Sequence, residues 1–104
     1  MIEAPYEMAN LFPDSTGLPF VVWVSYKANA RHDVRVKVSP GLKAMPAAMK
    51  SVALRPEPHI VKGEMDPADF RLLSRWMKRN RGVILKYWDG TIDTRQMIEQ
   101  IKPL

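Results

Sequence analysis

An α+β domain, strands first and helices after them, is the fold this chain of 104 residues predicts. Three observations carry that prediction. Val34, Val36 and Val38 alternate with Arg35, Lys37 and Ser39, the period of a strand with one buried and one wet face. A short run rich in β-branched and aromatic residues, Phe20 to Tyr26, precedes it, and Ser51 to Arg55 alternates again after it. From Phe70 to Trp88 the period changes, and Phe70, Leu73, Met77, Ile84 and Trp88 fall on one side of a helix. Sequential strands with short links pair as an antiparallel meander, and helices gathered at the end of the chain pack on one face of it.

The elements follow in order. Residues 1–19, with Pro5, Pro13, Gly17 and Pro19, read as an irregular lead-in, and 20–104 as one α+β domain. Phe20 to Tyr26 predicts the first strand, and Lys27-Ala28-Asn29-Ala30 supplies the turn into the alternating valines, which Pro40-Gly41 ends. The stretch Leu42–Lys50 fits a short helix or an irregular link, because Pro46 interrupts it. Ser51 to Arg55 alternates again as a third strand, and His59 to Lys62, after Pro56 and Pro58, forms a short fourth. The sequence thus predicts three or four strands. Asp66-Pro67-Ala68-Asp69 is a helix start: Asp66 caps free amides, Pro67 suits the first turn, and Asp69 opposes the dipole. One long helix over 67–88 is favoured, since the apolar phase survives Arg81-Gly82; a helix capped at Gly82 and followed by a strand over Val83-Ile84-Leu85 is the alternative. Asp93-Thr94-Arg95-Gln96 opens a short last helix that Pro103 stops.

Composition bounds the function classes. Hydrophobic residues make up 46% and charged residues 26%, an ordinary globular balance. No apolar run has the length of a membrane span, and the first residues lack the layout of a secretory signal. The chain has no Cys, which fits a cytoplasmic protein and excludes disulfides and thiolate metal sites. There is also no His pair at helical spacing, no calcium-type Asp-x-Asp loop, no phosphate loop and no nucleophile elbow, so no metal and no cofactor is expected. Asp89, Asp93 and Glu99 read as turn and cap residues.

The net charge of +5 is unevenly spread. Residues 27–55 carry seven basic groups against Asp33 alone, and 70–88 carry six (Arg71, Arg75, Lys78, Arg79, Arg81 and Lys86) against none. On a helical wheel Arg71, Arg75, Lys78, Arg79 and Lys86 occupy one arc opposite the apolar stripe. Internal Glu–Lys pairing cannot account for that arc, because no acid follows Asp69 until Asp89. These five residues are the candidate partner-binding set, with an acidic protein or a nucleic acid as the anionic partner. Complementing the helix dipole is their competing structural role. Arg31, Arg35 and Lys37 form a secondary basic patch. If the helix packs on the valine face of the sheet, the two patches lie on opposite sides of the domain.

His32 and His59 are the candidate catalytic residues, since two imidazoles suffice as base and acid for a metal-independent nuclease. No third residue is marked to orient either, and both also read as surface or turn histidines. Trp23, Trp76 and Trp88 read as core. Tyr26, Tyr87 and Trp76 are the candidates for stacking on bases.

Gly63-Glu64-Met65, Trp76, Asn80-Arg81, Leu85, Trp88 and the closing Ile101-Lys102-Pro103-Leu104 resemble a family of small bacterial domains of unknown function. Its members are often encoded beside a partner in toxin–antitoxin-like gene pairs. The resemblance covers residues 60–104 and, more weakly, the strand around His32-Asp33-Val34. Where the family usually has a His-x-His pair entering that strand, this chain has only His32. The resemblance implies strands followed by helix and a neighbouring partner, with no established activity. Taken together, the expectation is a small non-enzymatic binding module. A small nuclease or toxin-like enzyme using His32 and His59 is the first alternative, and a structural or oligomerisation domain the second.

Overall fold

The computed structural model describes residues 8–27, 30–39 and 48–104. The first seven residues of the predicted lead-in, Ala28 and Asn29 of the first turn, the Pro40-Gly41 terminator and most of the ambiguous 42–50 stretch lie outside the described residues.

The class is α+β, as the strand-then-helix order predicts, with five strands among the described residues rather than three or four. They are β1 (Met8–Leu11), β2 (Val21–Ser25), β3 (Arg35–Ser39), β4 (Lys50–Ala53) and β5 (His59–Lys62), and they form one antiparallel sheet in chain order. The additional strand comes from the stretch expected to be irregular. β1 pairs with β2, Ala9 opposite Val24 and Leu11 opposite Val22, and a one-turn helix α1 (Pro13–Thr16) connects the two. Pro13 opens that turn with its φ already fixed, and Gly17 closes it in the left-handed region, donating its N–H to the Pro13 carbonyl at 2.8 Å. Turn residues therefore punctuate residues 8–19 without leaving them unstructured.

Register places the apolar residues on one face. Val22 opposes Val38, Val24 opposes Val36, and Val36 opposes Val52, so these valines share a side with Ala9 and Leu11. That side meets Leu73, Trp76 and Met77, then Ile84, Tyr87, Trp88 and Met97, in a single buried cluster. The helices thus cover the valine face. Trp23, Arg35, Lys37 and Ser51 occupy the other face, where Trp23 Nε1 donates to Ser39 Oγ at 2.8 Å.

The predicted long helix is two helices. α2 (Pro67–Arg79) starts as expected, the Asp66 carboxylate accepting from the Ala68 amide at 2.8 Å. It ends at Asn80, two residues before the anticipated weak point at Gly82, and α3 (Arg81–Trp88) follows directly. Asn80 leaves helical geometry at φ −109° and ψ 18° because its side chain competes for backbone partners. Bonds from the Asn80 amide to Trp76 and from the Ile84 amide to Asn80 bracket the break, so the chain bends without losing the apolar phase. α4 (Thr94–Gln100) carries the full capping box between Asp93 and Gln96. No helix among the described residues is long and apolar enough to cross a membrane.

Candidate binding surface

The break at Asn80 sorts the basic residues by what explains them. Lys78 and Arg79 lie in the last turn of α2 and Lys86 in the last turn of α3, where cations complement the negative end of the dipole. Lys78 also meets Glu57, the two groups lying 3.7 Å apart. Arg71 and Arg75 sit in the middle of α2, beyond the reach of that effect. Both are exposed, and among the described residues neither they nor Arg79 nor Lys86 take part in an ion pair. Of the five candidate residues, local structure therefore leaves Arg71 and Arg75 as the two it does not use.

Arg35 and Lys37 are half-buried on the outer face of the sheet, and Arg31 is exposed in the loop before it. The two basic patches consequently face away from each other, as the valine-face geometry predicts. A shallow depression lined by Ser25, Tyr26, Ala30, His32, Arg35 and Lys37 marks the second patch.

The two histidines have separate surroundings. The His32 ring stacks on Trp88, with centroids 5.8 Å apart, and its Nδ1 lies 2.7 Å from the carbonyl oxygen of Asp33. His59 Nδ1 lies 2.7 Å from the Glu57 carbonyl oxygen. Each imidazole is thus held by nearby backbone, and His59 is not among the walls of the depression that His32 lines. A carboxylate does stand beside His32, but Asp33 is committed elsewhere. Arg55 grips it through two bonds, Nε to Oδ2 at 2.7 Å and Nη2 to Oδ1 at 2.8 Å. That bidentate contact holds the Asp33 carboxyl at about 2, below its ordinary 3.8, and raises the Arg55 guanidinium in turn.

Two of the three stacking candidates are withdrawn from solvent, and Tyr26 is half-buried. Trp76 and Tyr87 are buried, and Tyr26 packs edge-on against Tyr87 at 6.2 Å. A buried ring presents no face to a base. A cleft of different character lies between Tyr26, Tyr87, Ile92 and Thr94, where the Tyr87 hydroxyl and Thr94 Oγ1 are hydrogen-bonded at 2.8 Å.

Sequence reasoning placed β5 as a short strand but missed its exposure. Its four residues are all exposed, including Ile60 and Val61. The signal was present in the sequence as a short apolar pair between polar ends, but nothing there showed that this strand would be outermost. No protein-family model, curated protein or solved structure matches the chain.

Proposed function

We propose that the chain is a small cytoplasmic, non-enzymatic binding module whose α2 face meets an acidic partner protein. The observation that carries this reading is the exposure of Arg71 and Arg75 in mid-helix, where neither an ion pair nor the dipole accounts for them. Lys78, Arg79 and Lys86 extend the same positive surface. Acidic groups surround it: Asp66 and Asp69 at the start of α2, Glu64 before them, and Glu57 beside Lys78. A phosphate backbone, uniformly and densely negative, is repelled by such a border, whereas a protein surface of mixed charge can match it. The two-gene arrangement implied by the family resemblance would supply such a partner.

The test titrates the purified chain with poly-glutamate and with single- and double-stranded nucleic acid across a salt series. Salt-sensitive binding of poly-glutamate, lost in the Arg71→Glu/Arg75→Glu variant at an unchanged thermal midpoint, is the expected result. Tighter binding of nucleic acid than of poly-glutamate at equal salt would replace the acidic protein with a polynucleotide. Absence of both interactions at low salt would remove the reading.

A further inference from the structure

β5 is the last strand of the sheet, and among the described residues it pairs with β4 alone. An edge strand aims alternate N–H and C=O groups outward, where another strand can take them up. Ile60 is 36% and Val61 48% exposed, so the edge is apolar and, among the described residues, unpaired on its outer side. Ile60 opposes Val52 and therefore lies on the helix side of the sheet. α2 begins just beyond the Gly63 turn, and Lys78 near its end reaches back to Glu57, just before β5. The helix thus runs back along this strand, and Arg71 and Arg75 lie on the same stripe of it as Lys78.

We propose that β5 accepts an extended, acidic segment of a partner protein as a sixth strand, with carboxylates on one side of that segment meeting Arg71, Arg75 and Lys78. The inference rests on the reading of α2 as a surface for acidic protein and specifies how the partner is held. Glu57 already shows the charge pairing, as a carboxylate at one end of β5 set against Lys78. A second copy of the chain is a poor occupant. Pairing β5 with itself would bring two Lys62 residues and two basic helix faces together, on chains of net charge +5. The bulge that leaves Val61 as the extra residue, the short strand and Lys62 all discourage indiscriminate pairing. Of these, Lys62 attracts an acidic strand while it repels a basic one.

The experiment uses the full chain and a synthetic peptide alternating Glu with Thr, alongside versions of it N-methylated at either alternate set of residues. The unmodified peptide is expected to bind and to slow amide exchange at His59–Lys62, and N-methylation of one set to weaken binding by about tenfold or more. A Val61→Glu/Lys62→Glu variant is expected to weaken it similarly; should that variant fail to fold, the comparison of peptides on the native chain decides alone. Equal affinity for all peptides, with β5 exchange unchanged and binding still abolished by Arg71→Glu/Arg75→Glu, would overturn strand addition and leave the α2 reading standing. If no peptide binds, strand addition is overturned, and the α2 reading falls with it when poly-glutamate and nucleic acid also fail to bind.

Discussion

The side chain of Asn80 pairs with the backbone of Lys102 as another strand would. Its Nδ2 donates to the Lys102 carbonyl at 2.9 Å, and its Oδ1 accepts from the Lys102 amide at 2.7 Å. Nδ2 also donates to the Trp76 carbonyl at 3.0 Å, in the last turn of α2. Asn80 is almost completely buried, so these bonds form where water does not compete. The tail continues to Leu104, whose amide donates to the Thr16 carbonyl at 2.7 Å. One side chain thereby ends α2, sets the bend into α3 and fastens the closing residues to the first turn of the domain.

Replacing Asn80 with Ala is expected to cost about 2–4 kcal/mol in urea unfolding, because the partners it strands are buried. Asn80→Asp is expected to cost more at neutral pH, since a carboxylate would face two carbonyl oxygens that now receive an N–H. Deleting residues 102–104 should destabilise by a similar route. In a double-mutant cycle the combined loss is then expected to fall short of the sum by about 1 kcal/mol or more. Strict additivity would mean that the tail and Asn80 act independently.

The Asp33–Arg55 pair sets a pH dependence whose sign follows from the direction of the shift. Asp33 titrates at about 2 in the folded chain against 3.8 ordinarily. A depressed carboxylate stabilises the fold fully above its unfolded value, and the contribution disappears as pH falls through the folded value. The pair is exposed, so solvent screening keeps its contribution small. Asp33→Asn is expected to flatten the stability profile between about pH 4 and about pH 2, leaving the rest of the curve unchanged. Carbon-detected titration of the Asp33 carboxyl checks the cause directly; a midpoint near 3.8 would show that Arg55 does not hold it in solution.

How much of this was legible in the sequence depends on which residues carried a local signal. The valine alternation specified both faces of β3, and the Asp66 and Asp93 caps marked the starts of α2 and α4, because period and capping are properties of neighbouring residues. β1 was hidden because its four residues have no period of their own; they form a strand only by pairing with β2. The break at Asn80 was hidden for a related reason. Its cause is a bond to Lys102, twenty-two residues later, whereas Gly82 offered a local signal that the structure does not use. At the candidate surface, the helical wheel put Arg71, Arg75, Lys78, Arg79 and Lys86 on one arc, whereas the break at Asn80 puts Lys86 on a separate helix. The wheel could not separate Arg71 and Arg75 from the dipole-supported Lys78, Arg79 and Lys86, because that division depends on where α2 ends.

Gly82 therefore becomes a place where the chain is expected to tolerate improvement. It lies inside α3, and a Cβ built there meets nothing within 4 Å. Gly82→Ala should raise stability by up to about 0.5 kcal/mol, less than the helix-interior difference because Gly82 lies in the first turn of α3. Gly17→Ala is expected to do the reverse. That residue sits at φ +76°, and a Cβ would come within 3.0 Å of the Leu104 carbonyl oxygen, pressing on the fastened tail. Chemical denaturation of both variants tests the pair; stabilisation by Gly17→Ala would show that the tail is not held against α1.

Charge reversal along α2 separates structural cations from available ones without any partner present. Arg75 lies in mid-helix and Arg79 in the last turn, both exposed and neither in an ion pair among the described residues. Reversing Arg79 places a negative charge at the negative end of the dipole, and Arg79→Glu is expected to cost about 0.3–1 kcal/mol at low ionic strength, shrinking as salt rises. Reversing Arg75 meets no such field. Arg75→Glu should leave stability within about 0.5 kcal/mol of the parent chain at every salt concentration. It even gains an opposite charge one turn on, at Arg79, which offsets part of the altered field around Arg71. Thermal melts of the two variants across a salt series make the comparison. Equal, salt-dependent losses would place Arg75 in the electrostatic support of the helix and remove the reason for regarding it as free to bind.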